Sequence, residues 1–383
     1  MRAERKKILK VNIDFYILFI LTFILSVIGL IMVSSSSTVI GERYFNDPYW
    51  FLRRQLIWWG FSFVLLIIFS KINYKVYKKL AIFIILISIA LLALVLIPGF
   101  GQEIGGSRRW LNLWFFNIQP SEFAKIALVI FFAEILNRKY INTMKVKDLI
   151  FPGFMLLLLI TVLIFLEPDL GTVIIIWLIV FISMFVGGVR FTHIFSLGIV
   201  MAIITGIYLF MEEYRRERLF AFLDRSAEYT AANFQVDQSL IALGSGNLIG
   251  LGLGNSLQKY SYLPEAHTDF IFAILGEELG LVGTMLVIIL FLLFAFFGIR
   301  VCLKTKDYFG RVLAAGLTAI IVVPAIVNIS VVIGLIPVTG LNLPFISSGG
   351  SSLMISMISV GILLNISRQI VIVGNSRGKD GKD

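Results

Sequence analysis

The chain has 383 residues, 58% hydrophobic and only 15% charged, which excludes a soluble domain of this size and describes a polytopic membrane protein. Its single cysteine, Cys302, excludes an intrachain disulfide, a Cys-based zinc site and an iron–sulfur cluster. The only histidines, His193 and His267, lie far apart in sequence, which argues against a His-rich metal centre.

Ten apolar stretches approach the roughly 20 residues that a bilayer core demands. They run over about 14–33, 54–70, 80–97, 121–137, 149–166, 170–187, 192–210, 269–298, 311–333 and 351–370. The expected fold is therefore an all-α polytopic membrane protein with ten transmembrane helices. The first stretch is too long for a signal peptide and no small-residue cleavage site follows it, so it reads as the first span. The eighth is long enough to tilt, or to carry an extra turn into the loop before it.

The net charge of +10 is explained by where it sits. Most Lys and Arg fall before the first span, in the loops after every even-numbered span, and after the last. By the positive-inside rule both termini are cytoplasmic, and the basic charge is a topology signal, not a nucleic-acid surface. The outer segments are then 34–53, 98–120, the hairpin Glu167-Pro168-Asp169, a large extracytoplasmic loop at 211–268 between the seventh and eighth spans, and 334–350. Residues 1–373 form one integral membrane domain. The polar, Gly-rich tail 374–383 reads as disordered.

Charged and polar blocks stand out against this apolar background. Gly105-Gly106-Ser107-Arg108-Arg109-Trp110 puts two guanidinium groups beside flexible glycines, which suits a pyrophosphate as well as an interfacial Arg/Trp anchor on lipid headgroups. In Pro120-Ser121-Glu122-Phe123-Ala124-Lys125, Ser121 fits a helix N-cap, and Glu122 and Lys125 share a helix face. That pair reads either as a self-neutralising ion pair or as the wall of a polar cavity. In Glu167-Pro168-Asp169-Leu170-Gly171-Thr172 the acids are turn formers, partners for arginine, or oxygen ligands for a cation.

In the long loop, Asp237–Ala242 reads as an amphipathic helix lying on the membrane. The glycine-rich run Gly244–Asn255 fits no nucleotide-binding fingerprint. The loop ends in Tyr262-Leu263-Pro264-Glu265-Ala266-His267-Thr268-Asp269 and passes straight into apolar sequence. A carboxylate at the lip of a membrane helix is either a helix N-cap or a functional group. Residues 334–352, with two prolines, four glycines and a hydroxyl cluster, form an irregular loop of re-entrant character, either a structural plug or a substrate contact.

Five blocks in this order carry a resemblance: Gly-Ser-Arg-Arg-Trp at 106–110, Gln-Pro-Ser-Glu-Phe-Ala-Lys at 119–125, Glu-Pro-Asp-Leu-Gly-Thr at 167–172, Tyr-Leu-Pro-Glu-Ala-His-Thr-Asp-Phe-Ile-Phe-Ala at 262–273, and Pro-Phe-Ile-Ser-Ser-Gly-Gly-Ser-Ser at 344–352. Spread over most of the chain, they resemble the SEDS family (shape, elongation, division and sporulation), and its division and sporulation branch more than its elongation branch. The resemblance implies a peptidoglycan glycosyltransferase of the bacterial cytoplasmic membrane that polymerises lipid II on the outer face. It also implies release of undecaprenyl pyrophosphate and a class B penicillin-binding protein as transpeptidase partner. Asp269 corresponds to the family's essential loop aspartate, Glu122 and Lys125 to its charged helix pair, and Arg109 and Trp110 to its loop Arg/Trp. Arg108, Lys259, His267, Ser347 and Ser348 complete the expected substrate contacts. Mg²⁺ or Mn²⁺ is the expected cofactor, without a metal cage legible in the sequence. A lipid II flippase and a non-catalytic scaffold are the competing readings.

Overall fold

The computed structural model describes residues 13–104, 107–113, 116–142, 146–223, 231–260 and 263–370. The tail 374–383, the basic N-terminus, Gly105, Gly106 and Tyr262 of the sequence motifs lie outside the described residues. The chain opens with α1 (Ile13–Ser36), α2 (Thr38–Phe45), α3 (Trp50–Lys71) and α4 (Lys75–Leu96). Three short strands follow, β1 (Gly101–Ile104), β2 (Ser107–Leu113) and β3 (Phe116–Ile118). Helices complete the order: α5 (Pro120–Asn142), α6 (Val146–Leu166), α7 (Leu170–Val186), α8 (Phe191–Met211), α9 (Glu213–Leu223), α10 (Ala231–Ser245), α11 (Ile271–Lys304), α12 (Tyr308–Val332) and α13 (Gly350–Gln369).

Each of the ten apolar stretches overlaps one of these helices. Among the described residues, seven helices are long and apolar enough to cross a membrane, so the chain is a multi-pass membrane protein. Helix starts follow local chemistry. Asp169 caps α7 by accepting from the Thr172 amide at 3.1 Å, and Asp307 caps α12 by accepting from the Gly310 amide at 2.9 Å. Pro120 occupies the first position of α5, where its missing N–H costs nothing. Ser121 is thus inside the helix, not its N-cap, and its hydroxyl has no hydrogen-bond partner among the described residues.

Packing relies on small residues, because lipid tails give helices no hydrophobic reason to associate. A Cβ on Gly361 would come within 2.6 Å of the Leu66 carbonyl, and one on Gly350 within 2.1 Å of the Trp58 ring, so α13 presses directly on α3. Helix α12 packs against α5, α7, α11 and α13, and most of its length is buried. At one end of the bundle, fully buried Asp14 on α1 pairs with Lys304 Nζ at 2.6 Å and Arg300 Nη2 at 3.3 Å on α11.

Two expectations are corrected. The protein is not all-α: β1, β2 and β3 form an antiparallel sheet in that order, with a bulge between Gln102 and Glu103. Side chains of β2 alternate between faces, burying Leu111 while its neighbours stay in contact with solvent. The eighth stretch is not one tilted span: Gly280 (φ 67°, ψ −164°) breaks α11 into a buried half-helix, 271–279, and a long membrane helix. Segment 237–242 is helical, within α10, and packs one face on the bundle while Ile241 is exposed. Its Ser239 hydroxyl donates to the Val332 carbonyl at 2.8 Å, and Ala242 is fully buried.

Candidate functional site

The first two turns of α5 carry Glu122 and Lys125 three residues apart, and their side chains meet at 2.6 Å with both residues buried. They line a small polar cavity, with room for about one water molecule, together with Pro324 of α12, Asn342, and Ser352 and Ser356 of α13. A buried ion pair pays a heavy desolvation cost unless its remaining hydrogen-bonding capacity is met. Here the two groups bond to each other, and the hydroxyls and amide of Ser352, Ser356 and Asn342 line the same cavity inside the bundle. The mouth of α5 is fastened to α13: the Gln119 amide donates to Ser351 Oγ at 3.1 Å, and that hydroxyl donates to the Asn117 carbonyl at 3.0 Å.

Asp269 stands where the long loop enters the buried half-helix. The N-cap of α11 is Phe270, whose side chain makes no capping hydrogen bond, with Asp269 immediately before it. The placement of Asp269 is determined by the backbone around it. Asn328 Nδ2 on α12 donates to the Asp269 carbonyl at 2.7 Å and to the Leu341 carbonyl at 2.6 Å. Ser347 Oγ donates to the Thr268 carbonyl at 2.6 Å and accepts from the Leu343 amide at 2.8 Å. The Ser348 amide donates to the His267 carbonyl at 3.0 Å.

Segments 265–270 and 340–348 are therefore stitched into one shelf. The Asp269 carboxylate faces Gly340, whose missing side chain leaves room: a Cβ there would sit 3.6 Å from Oδ2. The next residues, Leu341 and Asn342, line the Glu122–Lys125 cavity. The irregular loop is buried in protein, with Leu343, Phe345 and Ile346 inaccessible and the amides of Leu343, Ile346, Ser347 and Ser348 hydrogen-bonded.

The other expected residues divide sharply. His267 packs its ring on Phe51 at 4.7 Å, and burial holds its pKa below the ordinary value against the opposing pull of Glu265. It is neutral at pH 7. Ser347 and Ser348 serve the shelf. Arg109 is turned to the 167–169 hairpin: Nε donates to the Glu167 carbonyl at 2.8 Å, Nη2 to the Pro168 carbonyl at 2.5 Å, and Nη1 lies 4.0 Å from Asp169 Oδ2. Arg108 pairs with Glu103 at 3.4 Å on the exposed sheet, and Trp110 lies opposite Gln102 in the β1–β2 ladder. Lys259 is buried and bound to Glu278 Oε1 at 3.3 Å and to the Gly254 carbonyl. Asn328, Asn342 and Ser356 were missed by sequence reasoning. An amide inside the apolar α12 was the available signal for Asn328. Among the described residues no three His, Cys, Asp or Glu side chains come together to hold a metal ion.

A bundle of apolar helices enclosing a charged, hydroxyl-lined cavity under a folded polar loop defines an integral membrane protein with an intramembrane polar site. The family model of the cell cycle proteins FtsW, RodA and SpoVE matches residues 16–371, and the chain belongs to that family. It is 40% identical over 353 residues to stage V sporulation protein E of Bacillus subtilis, covering 92% of this chain and 96% of that one. It is 38% identical over 367 residues to the probable peptidoglycan glycosyltransferase FtsW of Trichlorobacter lovleyi, covering 96% of each. Among solved structures, a chain of a peptidoglycan synthase complex that coordinates polymerization and crosslinking matches with a TM-score of 0.74 at 27% identity, over 92% of this chain and 97% of that one. The rod shape determining protein RodA of Thermus thermophilus matches with a TM-score of 0.68 at 27% identity, over 92% and 96%.

Proposed function

We propose that the protein is a peptidoglycan glycosyltransferase that polymerises lipid II at the outer face of the cytoplasmic membrane, with Asp269 as its general base. The observation that carries this reading is the placement of Asp269 on a shelf whose next residues line the Glu122–Lys125 cavity, in a chain of this family.

The chemistry requires inversion. Lipid II presents an α-linked sugar pyrophosphate, and a β-1,4 link forms when an acceptor hydroxyl displaces it from the opposite face. Asp269 removes the proton from the acceptor 4-hydroxyl as the new C–O bond forms. Lys125, held by Glu122, balances charge on the departing undecaprenyl pyrophosphate, and Arg108 does so from the sheet. Arg109 is spent on the 167–169 hairpin, so its role is to hold that hairpin and not to bind pyrophosphate. The described residues do not fit a protein-held metal cage, and no step is assigned to Mg²⁺ or Mn²⁺. Such an ion would arrive with the pyrophosphate, since Mg²⁺ is commonly shared between one or two carboxylates and substrate phosphates. Grooves between helices take the polyprenyl tails.

Ten crossings, both termini cytoplasmic and segment 211–268 outside accord with the ten helices that overlap the apolar stretches and with the distribution of Lys and Arg. The partner is a class B penicillin-binding protein. The test is purified protein, with and without that partner, given lipid II and divalent metal. Wild type should yield glycan chains and Asp269→Asn none, with lipid II binding retained. Removal of a general base costs about 10²–10⁴-fold in rate. Polymer from Asp269→Asn at the wild-type rate would remove the assignment. Translocation of lipid II across vesicles without new glycosidic bonds would favour the flippase reading, and neither activity the scaffold.

A further inference from the structure

Two helices independently set a depth for the glycine-rich loop. From Gly280 to Arg300, α11 rises about 30 Å at about 1.5 Å per residue, which is the thickness of a bilayer's hydrocarbon core. From Asp14 to Ser35, α1 rises about the same distance. Their ends meet at both levels. Asp14 pairs with Arg300 and Lys304 at one, and at the other Ser35 Oγ donates to Glu278 Oε1 at 2.5 Å.

The loop 245–257 hangs on this second level. The Leu251 amide donates to the Glu277 carbonyl and the Gly252 amide to the Glu278 carbonyl, each at 3.0 Å. In return, the Leu281 amide donates to the Asn247 carbonyl at 2.9 Å and the Val282 amide to the Leu248 carbonyl at 3.2 Å. The backbone groups freed by the break at Gly280 are thus satisfied by the loop, and four of the loop's own groups by the break. This lowers the cost that otherwise keeps irregular backbone out of lipid. The approach is close: a Cβ on Gly250 would come within 2.2 Å of the Glu278 carbonyl.

Charge is turned inward. Glu277 accepts from Ser256 Oγ at 2.5 Å and from the Leu257 amide at 3.0 Å, while Glu278 takes Ser35 and Lys259. Both carboxylates are buried. Outward, the loop carries no charged residue between Ser245 and Gln258. It exposes Leu248 by 64% and Ile249 by 83%, with Leu253 and Leu257 also bare. This surface continues into Leu281, Val282, Met285 and Leu286, the exposed apolar side chains that begin the long half of α11.

We propose that loop 245–257 is a lipid anchor, with Leu248 and Ile249 inserted among the acyl chains at the edge of the hydrocarbon core. The occupant is lipid because the patch is continuous with the membrane face of α11 and lies at the level that α1 and α11 both define. The anchor holds the segment leading to Asp269 at headgroup height. That the leaflet is the outer one rests on the topology proposed above; the insertion itself does not.

The test places an environment-sensitive nitrobenzoxadiazole on Ile249→Cys in a Cys302→Ala background. The full chain is reconstituted in phosphatidylcholine–phosphatidylglycerol vesicles, with or without phosphatidylcholine brominated near the headgroup end of its chains. Leu292→Cys, exposed in the middle of α11, is the lipid reference, and Glu103→Cys on β1 the aqueous one. Brominated lipid should quench the Ile249 probe several-fold more than iodide does. Stronger quenching by iodide, matching the Glu103 probe, would overturn the proposal and leave the loop in water, free for a protein partner. Because the readout is fluorescence, its failure is separable from failure of glycan synthesis.

Discussion

Three carboxylates show how environment alone assigns different work to the same chemical group. Glu122 is neutralised by Lys125 at a cavity wall, Asp269 is presented on a shelf built by its neighbours' backbone, and Glu167 is buried at the hairpin. Among the described residues neither oxygen of Glu167 has a hydrogen-bond partner. Burial pushes its pKa from the ordinary 4.5 to about 9, helped by the nearby Asp169 charge and opposed by Arg109. Glu167 is therefore protonated at pH 7. Because the folded value lies above the unfolded one, its favourable contribution is complete below about 4.5 and is lost progressively as pH rises towards about 9. Thermal unfolding in detergent across this window should show wild type losing stability relative to Glu167→Gln, with the two curves running parallel below pH 4.5 and above pH 9. At this scale Asp269, Glu122 and Lys125 were legible, because a charge in an apolar background is conspicuous. The engagement of Arg109 by hairpin carbonyls and of Lys259 by Glu278 was not, since those partners lie 58 and 19 residues away.

Elements were legible where hydropathy is continuous. All ten apolar stretches overlap helices, because backbone groups in lipid must be satisfied within the segment. The sheet at 101–118 was hidden by short strands carrying polar residues, which leave no long period-two signal. The break in α11 was hidden because the apolar length of 269–298 outweighed the local signal of Glu277, Glu278 and Gly280. Its conformation belongs to a region essentially restricted to glycine, and a Cβ there would lie 2.4 Å from the Gly250 amide nitrogen. Gly280→Ala should therefore destabilise the protein by about 3 kcal/mol, read as a lowered unfolding midpoint in detergent. It should also loosen the glycine-rich loop, seen as faster amide exchange at Leu251 and Gly252.

At the scale of the whole molecule, the bundle is closed by contacts between its first helix and its eleventh. Asp14, inaccessible to solvent, is clamped by two cations that are themselves part-exposed. Asp14→Asn should cost about 3 kcal/mol, the lower end for breaking a buried pair, because Lys304 and Arg300 can still reach water. The check is the unfolding midpoint of the detergent-solubilised protein, with glycan synthesis by the folded fraction unchanged. This contact and the Ser35–Glu278 bond lie at opposite ends of α1, so loss of one should leave the other in place.

By itself the sequence determined that this is a many-helix membrane protein of the FtsW, RodA and SpoVE family and drew attention to Asp269, Glu122 and Lys125. The spans and the conspicuous charges follow from local composition: apolar length, placement of Lys and Arg, and charges where solvation makes them costly, whereas the family follows from the resemblance carried by five ordered motif blocks. Only the tertiary structure decided which charges are spent on one another and which line the cavity. It also decided that Asn328 and Ser347 fix the shelf under Asp269, and that a glycine-rich loop seals the break in α11. The reason is that a hydrogen bond or ion pair is a property of two groups in space, and here the two are mostly far apart along the chain.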